Sequence, residues 1–180
     1  MTHLELKNQP FFIIDVESIG LHGEGFAVAG GVYINGKPEN EFCFSCPPDE
    51  AKGDLDDRDW VHKNISDMVT TNVNPHGVRA SFWQEWEEAK IEFPNIVMAG
   101  ECIWPVETNF ISACIRQNMA FRKWKGPYPF YDISSIMLKA GMDPMKNYTR
   151  NENELPYHDP LADVRLSARL LMTALDCSIT

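Results

Sequence analysis

Phe11 to Glu17 reads FFIIDVE: four apolar residues in succession, then an acid, a valine and a second acid, with Gly20 closing the run. A short stretch that is apolar on both alternations, and rich in aromatic and β-branched side chains, fits a strand buried on both faces. Such a strand needs cover above and below, which calls for a sheet packed by helices. Phe26 to Ile34 and Glu41 to Cys46 have the composition of two further strands, and Asn35-Gly36 between them is a hairpin-turn pair. The chain therefore opens as an antiparallel meander.

Helical patterning follows. SFWQEWEEAKIE predicts a helix starting at Ser81, with Ser81 and Gln84 at capping-box spacing, Phe82, Trp86 and Ala89 on one face, and Pro94 as its end. Asn95 to Ala99 predicts a short strand, and Pro105 sits in the first turn of a second helix running to about Asn118. Pro129 to Ile133 predicts another strand with a short helix behind it to Ala140. Asp159-Pro160 announces a last helix to about Leu175. Three antiparallel strands followed by alternating helices and strands define an α/β chain with a mixed sheet flanked by helices. The 180 residues hold no repeat, low-complexity tract or long linker, so residues 1–180 are expected to form one domain. At 44% hydrophobic and 23% charged, such a chain builds an ordinary core without cross-links.

The formal charge of −10 argues against a protein that coats nucleic acid through a basic field, although not against one that grips a few nucleotides through metal ions. Charge is uneven: Met1 to Trp60 holds four basic and twelve acidic residues, whereas Arg116 to Arg150 holds seven basic and two acidic. No apolar run approaches the roughly 20 residues that span a bilayer, and MTHLELKNQP lacks the order of a secretory signal. The expectation is a soluble, cytoplasmic protein. Cys43, Cys46, Cys102, Cys114 and Cys177 offer one CxxC and no second ligand pair, so they read as buried or half-buried free thiols.

Acids stand where apolar residues belong. Asp15 and Glu17 project from one face of the first strand, where two neighbouring negative charges cost free energy unless a cation compensates them. Alone, the pair also fits solvated loop acids. Glu107 heads a helical face that continues through Phe110, Ile111, Cys114 and Ile115, and Asp163 falls among Leu166, Ser167, Leu170 and Ala174. His158 precedes Asp163 by five residues. Four acids from three elements, plus a histidine, can hold two divalent cations; hard oxygens select Mg²⁺ or Mn²⁺, and such an ion pair suits in-line phosphodiester hydrolysis.

At these residues the chain resembles the DEDDh 3′-to-5′ exonucleases, the proofreading-exonuclease and oligoribonuclease superfamily with an RNase H-like fold. DVESIGL resembles their first motif, D-x-E-T-x-G, and HDPLAD resembles the third, a histidine five residues before an aspartate. Asp159 stands where the related tyrosine branch has its tyrosine. The second motif normally gives an aspartate; here WPVETNF offers Glu107, with Glu101 as the substitute candidate, and Asp132 fits the place of a helix cap. The resemblance implies that Asp15, Glu17, Glu107 and Asp163 hold two Mg²⁺ or Mn²⁺ ions and that His158 takes a proton from the attacking water. It also implies that Ser18, Gly20 and Leu21 meet the terminal nucleotide of a nucleic-acid 3′ end, short or single-stranded. RNA or DNA preference and oligomeric state, a homodimer included, stay open.

Two other readings use the same residues: a catalytically silent RNase H-like module binding nucleic acid or a partner, and a metal phosphoesterase acting on another nucleotide. FRKWKGPYPFY could hold an incoming strand, although Trp124, Phe130 and Tyr131 read more readily as core residues. DLDDRD from Asp54 to Asp59 lacks the glycine and final acid of a calcium loop and reads as a solvated acidic loop. Asn64-Ile65-Ser66 and Asn147-Tyr148-Thr149 match a glycosylation pattern that has no meaning in an unsecreted chain. GEGFAVAGG lacks the spacing of a phosphate-binding loop, so no nucleotide cofactor is expected.

Overall fold

A computed structural model of the chain describes residues 7–65 and 68–177. Residues 1–6 and Ser66, within segments read above, lie outside the described residues. The run FFIIDVES forms β1 (Phe11–Ser18), antiparallel to β2 (Gly25–Ile34), which pairs antiparallel with β3 (Lys37–Ser45). Asn35 and Gly36 both take positive φ, 52° and 73°, as the hairpin between β2 and β3 requires. β4 (Val97–Gly100) joins β1 in parallel, and β5 (Phe130–Asp132) joins β4 in parallel. The order β3-β2-β1-β4-β5 makes β1 the central strand of a five-stranded mixed sheet flanked by helices, consistent with the RNase H-like arrangement.

Helices cover both faces. On one side α1 (Leu55–Asn64), α2 (Pro75–Glu92) and α3 (Val106–Gln117) pack Val61, Phe82, Trp83, Trp86 and Phe110 against Phe12, Ile14 and Val16 of β1. A short α4 (Met119–Arg122) follows. On the other side α5 (Ile133–Lys139) and α6 (Pro160–Cys177) set Ile133, Met137, Val164 and Leu171 against Phe11 and Ile13. The alternation of one strand thus feeds two cores, and burying its apolar side chains is the main stabilising term, at roughly 1.5–3 kcal/mol for each large one. Among the described residues no helix is long and apolar enough to cross a membrane.

Four sequence expectations need correction. Helix α2 begins at Pro75 and not at Ser81, because Asn74 caps it, its Oδ1 accepting from Gly77 N at 3.1 Å. Ser81 lies inside the helix and donates to Asn72 Oδ1 at 3.2 Å. DLDDRD is solvated but helical: Asp56 and Asp57 occupy the first turn of α1, where the helix dipole favours anions, and Arg58 Nη2 ties it down by donating to Ala51 O at 2.8 Å.

Trp124 and Tyr131 are exposed, at 87% and 43%, while Phe130 is half-buried against the core. Trp83 and Trp86 already fill that flank. The 122–125 segment covers them with polar groups instead: Arg122 lies 4.8 Å over the Trp83 ring, and Lys125 O accepts from Trp86 Nε1 at 2.9 Å. Finally, Cys102 and Cys177 are exposed, whereas Cys46 and Cys114 are buried and Cys43 is half-buried; all five thiols are free.

Candidate metal centre

The C-terminal ends of β1, β4 and β5 lie side by side, and acids gather there. Asp15 and Glu17 extend the Phe11–Ile13 face of β1; their partners across the ladder, Ala29 and Ala27, are both small. Asp163 comes from the first turn of α6, Glu107 from the first turn of α3 in the opposite layer. One carboxylate oxygen from each of Asp15, Glu17 and Asp163 lies within 4.8 Å of the others. Glu107 is buried at 5% exposure, and its charge acts on both Asp15 and Glu17.

Electrostatics mark this cluster as uncompensated. Burial, followed by the charges of Glu17, Glu107, Asp163 and Glu101, pushes Asp15 well above the ordinary carboxylate range. Burial also raises Glu17, with Asp163, Glu107 and Asp159 adding to it. Glu107 is raised by burial against the pull of its own amide and that of Val16. Asp163 is raised by burial, opposed by Arg150, whose Nη1 stands 2.5 Å from Oδ1. Arg150 therefore offsets part of the Asp163 charge at that oxygen.

A second row backs the first. Glu101, raised by burial, accepts a bond from Ser167 Oγ at 3.2 Å and faces Asp163 and Asp132. Asp132 caps α5 as expected, its Oδ2 accepting from Ser135 N at 3.0 Å. Its other oxygen is buried without a hydrogen bond, and its charge acts on Glu107. Asp159 caps α6 through Ala162 N at 2.9 Å. Of these seven carboxylates only Asp163 has an ion pair among the described residues. Glu107 is buried and the other six are half-buried, and like charges crowded in such a place persist only where something compensates them. The donor set is all hard oxygens, with Asp132 Oδ1 buried beside it without a hydrogen bond, and it fits Mg²⁺ or Mn²⁺.

His158 is exposed, not part of the carboxylate triad, and held at φ +57°, a conformation histidine adopts more readily than most residues. Its ring stands edge-on to Trp60 at 5.6 Å, and its charge when present acts on Asp163. Beside the acids, Glu17, Ser18, Gly20, Leu21, Trp60 and Val106 line a cavity of about 380 Å³. Gly20 takes φ +66°, Ser18 Oγ donates to its carbonyl at 2.6 Å, and a Cβ there would stand 2.1 Å from Asp57 Oδ2.

The structure thus brings Asp15, Glu17, Glu107 and Asp163 together, puts His158 at the rim, and joins Ser18, Gly20 and Leu21 in one wall. Sequence reasoning missed Trp60 and Arg150. Trp60 was hidden because its helix had the composition of a loop, and Arg150 because only tertiary folding brings it to Asp163. No protein-family profile and no curated protein sequence matches this chain.

Proposed function

We propose that the chain is a dication-dependent 3′-to-5′ exonuclease that hydrolyses phosphodiester bonds of short or single-stranded nucleic acid. The observation that supports this reading is the convergence of Asp15, Glu17 and Asp163 within 4.8 Å, with Glu107 buried against them and almost no protein cation to compensate. Two Mg²⁺ or Mn²⁺ ions would supply charge stabilisation for the attacking and leaving oxygens of an in-line displacement. The four carboxylates hold these ions. His158 takes the proton of the attacking water from the rim, and the turn from Ser18 to Leu21 orients the terminal nucleotide in the 380 Å³ cavity. Trp60 offers a ring face to its base; stacking of that kind contributes about 1–3 kcal/mol.

The test is incubation of the protein with 5′-labelled single-stranded RNA and DNA plus Mn²⁺. A ladder shortening from the 3′ end supports the reading. Internal cuts would identify an endonuclease, and inert substrates a binding module on the same fold.

A further inference from the structure

The loop that follows Leu21 turns away from the acids and lines a second cavity, of about 500 Å³, whose charge is of the opposite sign. His22 and Lys52 form one wall, and Arg79 of α2 with Asn109, Ala113 and Arg116 of α3 form the other. Glu24 is the one acid in its lining, and both of its oxygens are engaged. Oε1 accepts from Arg79 Nη1 at 2.7 Å and Oε2 from Lys52 N at 3.1 Å. Arg79 also donates Nε to Gln117 Oε1 at 2.8 Å, so this pair is a fixed structural wall. Lys52 and Arg116 are both exposed, and neither has an ion pair among the described residues. In a chain of net charge −10, two free cations facing one concave surface are a local reversal of field.

The two cavities are joined by one helix. Val106 lines the cavity beside the acids, and Asn109, Ala113 and Arg116 line the cationic one. Offsets of three, seven and ten place these four on one strip of α3, about 15 Å long at 1.5 Å rise per residue. A strand whose terminal nucleotide sits against Leu21 and whose body follows this strip would bring an upstream phosphate to Lys52 and Arg116. The acid cluster repels phosphate except where its ions would meet the scissile bond, so an anchor for the rest of the strand is to be found outside it.

We infer that the 500 Å³ cavity between the 22–25 loop and α3 binds a backbone phosphodiester of the single strand, on the 5′ side of the residue held at the acids. This rests on the exonuclease reading for the position of the 3′ end. Lys52 and Arg116 supply the charge, Asn109 supplies a side-chain amide, and the Arg79–Glu24 pair holds the wall.

The test is fluorescence anisotropy of 5′-labelled hexanucleotide and dinucleotide in Ca²⁺ buffer, with wild type and the double variant Lys52→Glu/Arg116→Glu. Both positions are exposed, so a matching melting temperature checks that the variant is folded. Hexanucleotide binding should weaken about tenfold or more, its salt slope should drop by about 1.4 for two lost contacts, and dinucleotide binding should move much less. Equal hexanucleotide affinity in the two proteins, or a wild type that does not bind the hexanucleotide, overturns the inference. Hydrolysis of a nitrophenyl nucleotide ester by wild type with Mn²⁺ judges the exonuclease reading separately. An inert ester alongside hexanucleotide binding that depends on Lys52 and Arg116 would defeat that reading and retain the cavity.

Discussion

The Arg150 guanidinium stands 2.5 Å from Asp163 Oδ1, the one cation that a described residue pairs with any acid of the cluster. It half-neutralises a carboxylate that a dication would also claim. Arg150→Ala should therefore tighten Mn²⁺ binding by several-fold and lower the metal-free melting temperature. Losing a buried charge partner costs about 1–3 kcal/mol, equivalent to roughly 2–12 °C for a domain of this size. Calorimetric titration and thermal melts check both; no change in either would show that the pair is energetically idle.

Metal-free stability should decline as pH rises, and bound metal should remove the decline. Asp15, Glu17, Glu107 and Asp163 all have folded-state pKa values raised above their ordinary ones, so the folded chain binds more protons than the unfolded chain above about pH 4. This contribution to metal-free stability is full at low pH and is lost as pH rises through the raised values. Saturating Mn²⁺ should remove that decline, since it compensates the same charges, and Glu17→Gln should flatten it without metal. Melts from pH 5 to pH 8 in chelator and in Mn²⁺ make the comparison; parallel curves would contradict it.

His158 lies outside the carboxylate triad and holds a left-handed backbone that asparagine also tolerates. His158→Asn should thus leave the Mn²⁺-induced rise in melting temperature intact while lowering turnover of a 5′-labelled oligonucleotide by 10²- to 10⁴-fold, the usual worth of a general base. Wild-type turnover in this variant would remove His158 from the mechanism.

Trp60 meets both the His158 ring and the cavity beside Gly20. Trp60→Ala should weaken oligonucleotide binding by about tenfold or more, and Trp60→Phe should restore most of the loss, as expected of a stacking face. If alanine and wild type bind alike, the ring serves only to cover the cavity.

Gly20 is required for its backbone as much as for its size. A Cβ would strain φ +66° and press on Asp57 Oδ2, and because the Asp57 carboxylate can swing away, the strain is the part that persists. Gly20→Ala should cost about 1–2 kcal/mol and raise KM for an oligonucleotide, with Asp57→Ala failing to rescue it. Full rescue would assign the effect to the contact.

The sheet was legible because its signals are local. FFIIDVE and Asn35-Gly36 specify a buried strand and a tight turn whatever surrounds them. The four acids were legible because each stands on an otherwise apolar face, and convergence is the physical resolution of four such exceptions. What stayed hidden depends on contacts that no local pattern encodes. α1 looked like a loop because Asp54 to Asp59 is polar but for Leu55, and the bond that ties it down, from Arg58 to Ala51 O, belongs to no helical repeat. Trp124 looked like core because rings are usually buried, whereas Trp83 and Trp86 had already filled its flank. The cationic cavity has no linear pattern, since Lys52, Arg79 and Arg116 come from three distant segments.

Asp163 descends from the layer that packs on Phe11 and Ile13, and Glu107 from the layer that packs on Phe12 and Ile14. The two hydrophobic halves otherwise communicate through the sheet between them. An ion gripped by both helices would rivet one half to the other at the rim, so the loaded molecule would come apart as one cooperative unit. Amide exchange in α3 and α6 would then slow together, even though the helices sit on opposite sides of the sheet.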